Sequence, residues 1–84
     1  MILELKSVRD QDGKNIDWGA VKINVFCIEE AMALVTSFFS HCENFEIELM
    51  KRDKSCLITV TRRYNIGKQP DYLHYVHTYQ VWSE

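Results

Sequence analysis

The spacing of apolar side chains changes twice along this chain. From Ile28 to Cys42, apolar residues recur every three or four positions, which is the period of one face of an α-helix. On both sides of that segment, apolar and polar residues alternate, which is the period of a β-strand with one buried face. A chain with this pattern is constrained to form strands, then one helix, then strands again.

Five segments show the alternating pattern, and turn-forming residues separate them. Asp12-Gly13 is a strong hairpin signal after the first segment, and Gly19 interrupts the second as a bulge or a kink would. A loop over residues 65–71 precedes the last segment. We expect the strands at residues 2–9, 16–26, 45–52, 56–64 and 72–82.

The order of these elements predicts an α+β fold, in which a single helix packs on one face of a four- to five-stranded antiparallel sheet in the order ββαβββ. Glu29 and Glu30 suit the first turn of the helix, where the helix dipole favours negative charge, and Asn44 is placed to end it. The 84 residues contain no linker, repeat or low-complexity tract. We therefore expect a single compact domain over residues 1–84.

One helix cannot cover both faces of such a sheet. It is about 10 Å wide, whereas five strands about 4.8 Å apart span roughly 20 Å. In the last strand, alternation directs Tyr75 and Tyr79 towards the helix and leaves Tyr72, His74 and Trp82 on the other face. The neighbouring strands are expected to add Glu46, Glu48 and Arg63 to that face. It is either a solvated surface or a contact surface built from the residue types that are enriched at interfaces.

Residue types that carry chemistry do not occur here in functional spacings. Three cysteines, an odd number and widely separated, argue against a disulfide framework and for reduced thiols. His74 and His77 are an odd number of residues apart on a strand, so they face opposite sides and cannot share a metal ion. No glycine-rich phosphate-binding loop is present. We expect no catalytic residue, no metal and no cofactor, and a protein that is not an enzyme.

Charge and hydropathy bear on the class of partner. The formal net charge of -2 gives no global field that would hold a polyanion. The run from Ala31 to Cys42 has no charged side chain, and it is about half of the ~20 residues that a membrane-spanning helix needs. The first ten residues lack a basic leader followed by an apolar run. We expect no membrane association and a cytoplasmic location.

The function that remains is binding to another protein. We predict an inhibitor or regulator of a host protein, and one candidate partner is a nucleic-acid enzyme whose basic groove the acidic side chains would occupy. Small proteins of comparable size and layout include phage and mobile-element products such as anti-CRISPR proteins, immunity proteins and antitoxins, an analogy of size and layout alone. The expected protein-binding residues are Tyr72, His74, Trp82, Arg63, Glu29, Glu30, Glu46 and Glu48.

Two alternatives stay open beside this prediction. The first is binding of RNA or single-stranded DNA through a basic hairpin over residues 51–68, with exposed aromatic rings stacking on the bases. The second is a homodimeric structural or adaptor protein, formed through the uncovered face or through an edge strand, for which the last strand is the candidate. The expected nucleic-acid-binding residues are Lys51, Arg52, Lys54, Arg62, Arg63 and Lys68.

Overall fold

A computed structural model describes residues 1–42, 44–65 and 72–83 of the chain. Its elements follow in the order β1 (Ile2–Arg9), β2 (Lys22–Asn24), α1 (Ile28–Phe38), β3 (Phe45–Lys51), β4 (Ser55–Asn65) and β5 (Tyr72–Trp82). The five strands form one antiparallel sheet. The predicted α+β fold, with one helix and a five-stranded antiparallel sheet, is confirmed. Within the described ranges, no helix is long and apolar enough to cross a membrane.

The strands lie side by side in the order β2-β1-β5-β4-β3. The last strand is therefore the central one, with β1 on one side and β4 on the other. The prediction that the last strand forms an edge is wrong. Pairings between distant segments are not encoded in local spacing, and here Ile2 in the first strand lies opposite Trp82 in the last. The edges of the sheet are β2 and β3.

The apolar core lies between α1 and one face of the sheet. The helix buries Ala31 and Val35, and Phe39 follows directly after its last residue. The sheet contributes fully buried side chains such as Ile58 and Val81. These residues continue the alternating series predicted for their strands, because successive side chains of a strand point to opposite faces. The helix stripe and inward-facing residues of β4 and β5 thus supply most of the core, and Leu3 of β1 and Val25 add to it.

The turn after β1 forms at the predicted dipeptide. The N–H of Gly13 donates to the carbonyl of Asp10 over 3.0 Å, and Gly13 has a φ of 81°, which glycine adopts without strain. The Asp10 carboxylate accepts hydrogen bonds from the backbone N–H groups of Asp12 and Lys14 at 2.9 and 3.0 Å. An aspartate that bonds to nearby backbone groups in this way stabilises a turn.

The second strand is much shorter than predicted. Instead of residues 16–26, only Lys22–Asn24 forms a strand. The N–H of Ile16 donates to the Val8 carbonyl at 2.8 Å, whereas the Val21 carbonyl accepts from the N–H of Leu5 at 3.0 Å. Two residues of β1 thus lie opposite the four residues 17–20, which we call the Trp18 loop. The φ of 92° at Gly19 lets the backbone leave the ladder at this point, so the interruption predicted there is an excursion rather than a bulge within a continuous strand.

The helix is also shorter than its apolar stripe. It ends at Phe38, with Phe39 as the C-cap, so the predictions that it continues to Cys42 and that Asn44 ends it are wrong. Residues 40 and 41 form turns, which still bring Cys42 against the core. The predicted loop over residues 65–71 lies outside the described residues apart from Asn65, which ends β4.

Candidate functional site

The side of the sheet opposite α1 is uncovered by the described part of the chain, and we call it the open face. Directly paired residues of antiparallel strands share a face, so the alternation that buries Ile58 and Val60 sends their neighbours Leu57 and Thr59 to the other side. The open face carries Glu46, Glu48 and Met50 on β3, Leu57 and Arg63 on β4, and His74 and Trp82 on β5. Five predicted protein-binding residues therefore lie on one surface, as the alternation of the strands indicated.

Trp82 occupies one corner of the open face. It is half-buried and lies opposite Ile2 of β1 and Ser55 of β4. The Nζ atom of Lys22 lies 5.8 Å from the centroid of the Trp82 ring, within the range of a cation–π contact. Neighbouring strands thus hold this indole in place while part of it stays accessible. A fixed aromatic ring with an exposed portion is a suitable anchor for a partner.

An acidic and a basic side chain flank this corner. The Nζ atom of Lys6 lies 2.8 Å from Oε1 of Glu4. The hydrogen bond from Lys6 is the main reason that the pKa of Glu4 lies below its ordinary value. The Glu4 carboxylate is therefore firmly ionised at neutral pH, and this end of the open face is charged rather than apolar.

The opposite end of the open face contains a shallow depression of about 550 Å³. Its lining includes Glu46, Arg63 and His74. Nη1 of Arg63 lies 3.3 Å from Oε1 of Glu46, and His74 lies directly opposite Arg63 in the β4–β5 ladder. Both partners of this ion pair are at least half exposed, so the pair adds little stability but remains available to another molecule.

A row of uncharged side chains crosses the sheet next to the Trp82 corner. Met50, Leu57 and Gln80 lie opposite one another across β3, β4 and β5. Met50 is 56% exposed, and the unbranched methionine side chain adapts to irregular surfaces. The open face thus has an aromatic corner with the uncharged row of Met50 beside it, and an ion pair near each end.

Three predicted protein-binding residues are not part of this surface as described. Glu29 and Glu30 lie in the first turn of α1, which packs on the other side of the sheet. Oε2 of Glu30 accepts a hydrogen bond from the N–H of Phe26 at 3.0 Å, so this carboxylate stabilises the start of the helix. The backbone of Tyr72 pairs with Asn65, and the side chain of Tyr72 lies outside the described residues.

The basic residues predicted for nucleic-acid binding do not form one patch. Arg52 and Lys54 are exposed at the turn between β3 and β4, whereas Arg63 lies eight residues from the start of β4, roughly 26 Å away at 3.3 Å per residue. Lys51 lies opposite Cys56 and therefore on the helix side of the sheet. Lys68 lies outside the described residues.

The assignment of Arg62 to an exposed basic surface is wrong. Arg62 is only 5% exposed and points to the helix side, because it continues the inward-facing series of Ile58 and Val60. Its guanidinium carbon lies 4.6 Å from the centroid of the Trp18 ring, 5.2 Å from that of Tyr75 and 5.9 Å from that of Phe39. Aromatic rings surround this cation, an arrangement that suits the planar and weakly hydrated guanidinium group.

His77 lies beside Arg62 in the same cluster. Its ring centroid is 4.8 Å from that of Phe39 and 5.4 Å from that of Trp18, and the residue has no exposed surface. Both ring nitrogens are buried without a hydrogen-bond partner among the described residues. Burial, with a smaller contribution from the charge on Arg62, lowers the pKa of His77 to about 4. The imidazole is therefore neutral at physiological pH.

We call these five side chains, Trp18, Phe39, Arg62, Tyr75 and His77, the aromatic cluster. One feature of the sequence indicates part of this cluster. Arg62 has the same parity in β4 as the apolar Cys56, Ile58 and Val60, and so has to share their face. No comparable signal exists for Trp18, because the loop that carries it belongs to no regular element.

The described residues contain no group of three or more histidine, cysteine or acidic side chains arranged to hold a metal ion. All three cysteines are free thiols: Cys27 is exposed, Cys42 is half-buried and Cys56 is buried in the core. No described cluster thus has the ligands that a metal cofactor requires.

Comparisons of this chain with protein-family models, with curated proteins and with solved structures gave no match.

Proposed function

We propose that this chain is a non-enzymatic protein-binding module, an inhibitor or regulator, and that it binds its partner through the open face. One observation carries the proposal: the described chain places its helix on one side of a five-stranded sheet and leaves the other side uncovered. That side exposes Met50, part of Trp82 and the Arg63–Glu46 ion pair. Tryptophan, methionine and arginine are enriched at protein interfaces relative to other surfaces.

The arrangement of side chains on the open face favours binding of one specific partner over nonspecific association. Trp82 and Met50 offer apolar contact area. Arg63 lies roughly 26 Å along β4 from Ser55, the residue opposite Trp82, and its pair with Glu46 offers a donor and an acceptor of opposite charge. A partner must match both regions at once, because an unmatched charge buried at an interface is costly. Glu48 beside them favours a partner with a basic side chain at that position.

We also propose that the protein acts in the cytoplasm. Three free thiols, one of them exposed, support a reducing compartment. The analogy of size and layout with anti-CRISPR proteins, immunity proteins and antitoxins supports a host enzyme as the class of target.

The test begins with recovery of the partner. Tagged protein is used to capture binding partners from lysate with and without nuclease, and the recovered protein is identified by mass spectrometry. A stoichiometric protein that survives nuclease treatment is the expected result. Recovery of nucleic acid, or of proteins that are lost with nuclease, would contradict the proposal and favour the nucleic-acid alternative.

Substitution of open-face residues then tests the surface. Trp82→Ala combined with Met50→Ala is expected to weaken binding of the recovered partner by more than about 2 kcal/mol while the fold is retained. The matched control is Phe26→Ala, since Phe26 is 93% exposed but precedes α1 and is not on the open face. Equal losses in both variants would show that the open face is not the binding surface.

A further inference from the structure

The β3 strand is the longer of the two uncovered sheet edges. It pairs with β4 over all seven of its residues without a bulge, whereas the other edge strand, β2, has three residues. The opposite side of β3 has no strand partner among the described residues. Alternate N–H and C=O groups along that side point outward, and such groups can pair with a strand of another molecule.

Charge along this edge changes sign from one end to the other. Glu46 and Glu48 lie in the first half of β3, whereas Arg52 and Lys54 lie in the turn that follows it, and all four are exposed. Two copies of this edge in parallel orientation would align like charges. In antiparallel orientation, the acidic half of each copy lies against the basic turn of the other, so the edge is complementary to itself.

We propose that the occupant of the β3 edge is a second copy of this chain, paired antiparallel about a two-fold axis near Leu49. With the axis at Leu49, Glu46 of one copy lies opposite Arg52 of the other, and Glu48 lies opposite Met50. Axes at Glu48 or at Ile47 would instead place glutamates opposite each other, which is destabilising. An axis at Met50 also matches the charges, but it leaves a shorter paired stretch of β3.

The side chains at the axis are suited to such a contact. Leu49 is 38% exposed, although it lies on the helix side of the sheet, because it is at the rim of the core. Two copies of Leu49 would cover each other across the axis, since directly opposed residues of antiparallel strands have Cβ atoms about 5 Å apart. The result is a continuous ten-stranded sheet in which both open faces lie on the same side. This inference does not depend on the proposed binding of a different protein.

The test is a charge-swap experiment read by sedimentation velocity. The unmodified chain is expected to dimerise, with a dissociation constant that rises with salt concentration because exposed charges are screened. The double variant Glu46→Lys, Glu48→Lys and the double variant Arg52→Glu, Lys54→Glu are each expected to raise that constant at least about tenfold, since each then sets like charges opposite each other.

A mixture of the two variants provides the rescue. The edge of the Glu46→Lys, Glu48→Lys variant is basic along its whole length, and that of the Arg52→Glu, Lys54→Glu variant is acidic along its whole length. Both halves of a mixed interface are therefore complementary, and a heterodimer is expected. Its formation also shows that both variants are folded. A monomeric unmodified chain at all accessible concentrations would overturn the proposal, and so would a dimer that neither double variant weakens or a mixture that stays monomeric.

Discussion

His77 has no exposed surface, yet histidine is readily protonated in an unfolded chain near neutral pH. The folded protein holds the ring between Phe39 and Trp18, next to the positive charge of Arg62. Neither ring nitrogen has a hydrogen-bond partner among the described residues, so a charge on this ring would lack compensation from them. The cost of protonating His77 in the folded state therefore becomes a dependence of stability on pH.

We predict that the free energy of unfolding falls as pH decreases from about 6.5 to about 4. The pKa of His77 is lowered from 6.5 to about 4, so in this window the unfolded chain binds a proton that the folded chain does not, and acid favours unfolding. The loss is about 3 kcal/mol over the window, at 1.36 kcal/mol per pKa unit. Urea denaturation at a series of pH values measures it.

The variant His77→Leu is expected to flatten this pH profile, because the titrating group is removed. The control His41→Gln changes an exposed histidine and should leave the profile as it is. An unchanged slope in the His77→Leu protein would assign the pH dependence to another group.

Trp18 is expected to control the pKa of His77, although it is 51% exposed. Its ring contacts both His77 and the guanidinium of Arg62, so Trp18→Ala should admit water to the cluster. We predict that the pKa of His77 then moves upward towards its ordinary value and that stability falls by about 2 kcal/mol. Titration followed by NMR measures the pKa. Trp18→Phe, which keeps an aromatic cover, should shift it less, and equal shifts in both variants would rule out this role of the indole.

At the scale of single elements, the start of α1 offers a second test. Glu30 accepts a hydrogen bond from the N–H of Phe26, which lies before the N-cap residue Cys27, and the Cys27 side chain makes no capping bond. Glu30→Ala is expected to lower the free energy of unfolding by about 1 kcal/mol, the usual effect of losing a helix cap. Glu30→Gln keeps an acceptor oxygen and should restore most of that stability.

Glu29→Ala is the comparison in the same first turn, where hydrogen bonds from its own backbone N–H and from the Cys27 side chain lower the pKa of Glu29. A loss as large as that of Glu30→Ala would show that the effect is not specific to the hydrogen bond from Phe26.

The elements also show which parts of the fold are encoded locally. Cys56, Ile58 and Val60 alternate in the sequence and form the buried face of β4, because burial on one side imposes a period of two. The sequence pattern does not predict the Trp18 loop, because a strand over residues 16–26 with a bulge or a kink at Gly19 fits the same spacing, whereas the backbone leaves the ladder there. Most residues of the open face were predicted from the sequence, since the residues between the buried positions of a strand point to the opposite face.

The order of the strands could not be read from the sequence, because it depends on pairing between distant segments. The charge of Arg62 favours a surface position, yet the rings of the aromatic cluster accept this cation in the interior. Burial of such a group depends on neighbours from β5 and from the Trp18 loop, and those neighbours come together only in the folded chain.

At the scale of the whole molecule, β5 joins two halves of the sheet. It pairs with β1 through Leu3 and Val81, and with β4 through Ile58 and Tyr79. A chain that ends at Asn65 is therefore expected to lose the entire fold rather than a single strand, and far-ultraviolet circular dichroism should show an unfolded chain. Removal of residues 83–84, which lie beyond β5, should leave the spectrum unchanged. A folded protein after the longer deletion would contradict this account.

The central position of the last strand also determines when the protein can fold during synthesis. Until residues 72–82 leave the ribosome, β1 and β4 each lack a strand partner on one side. The apolar residues of α1 can then pack against only part of the sheet. Domains generally fold as units, so we expect β1 to β4 and α1 to remain unfolded until β5 has been synthesised. Aggregation-prone edges stay exposed during this interval, which ends only when β5 pairs with β1, where Ile2 lies opposite Trp82.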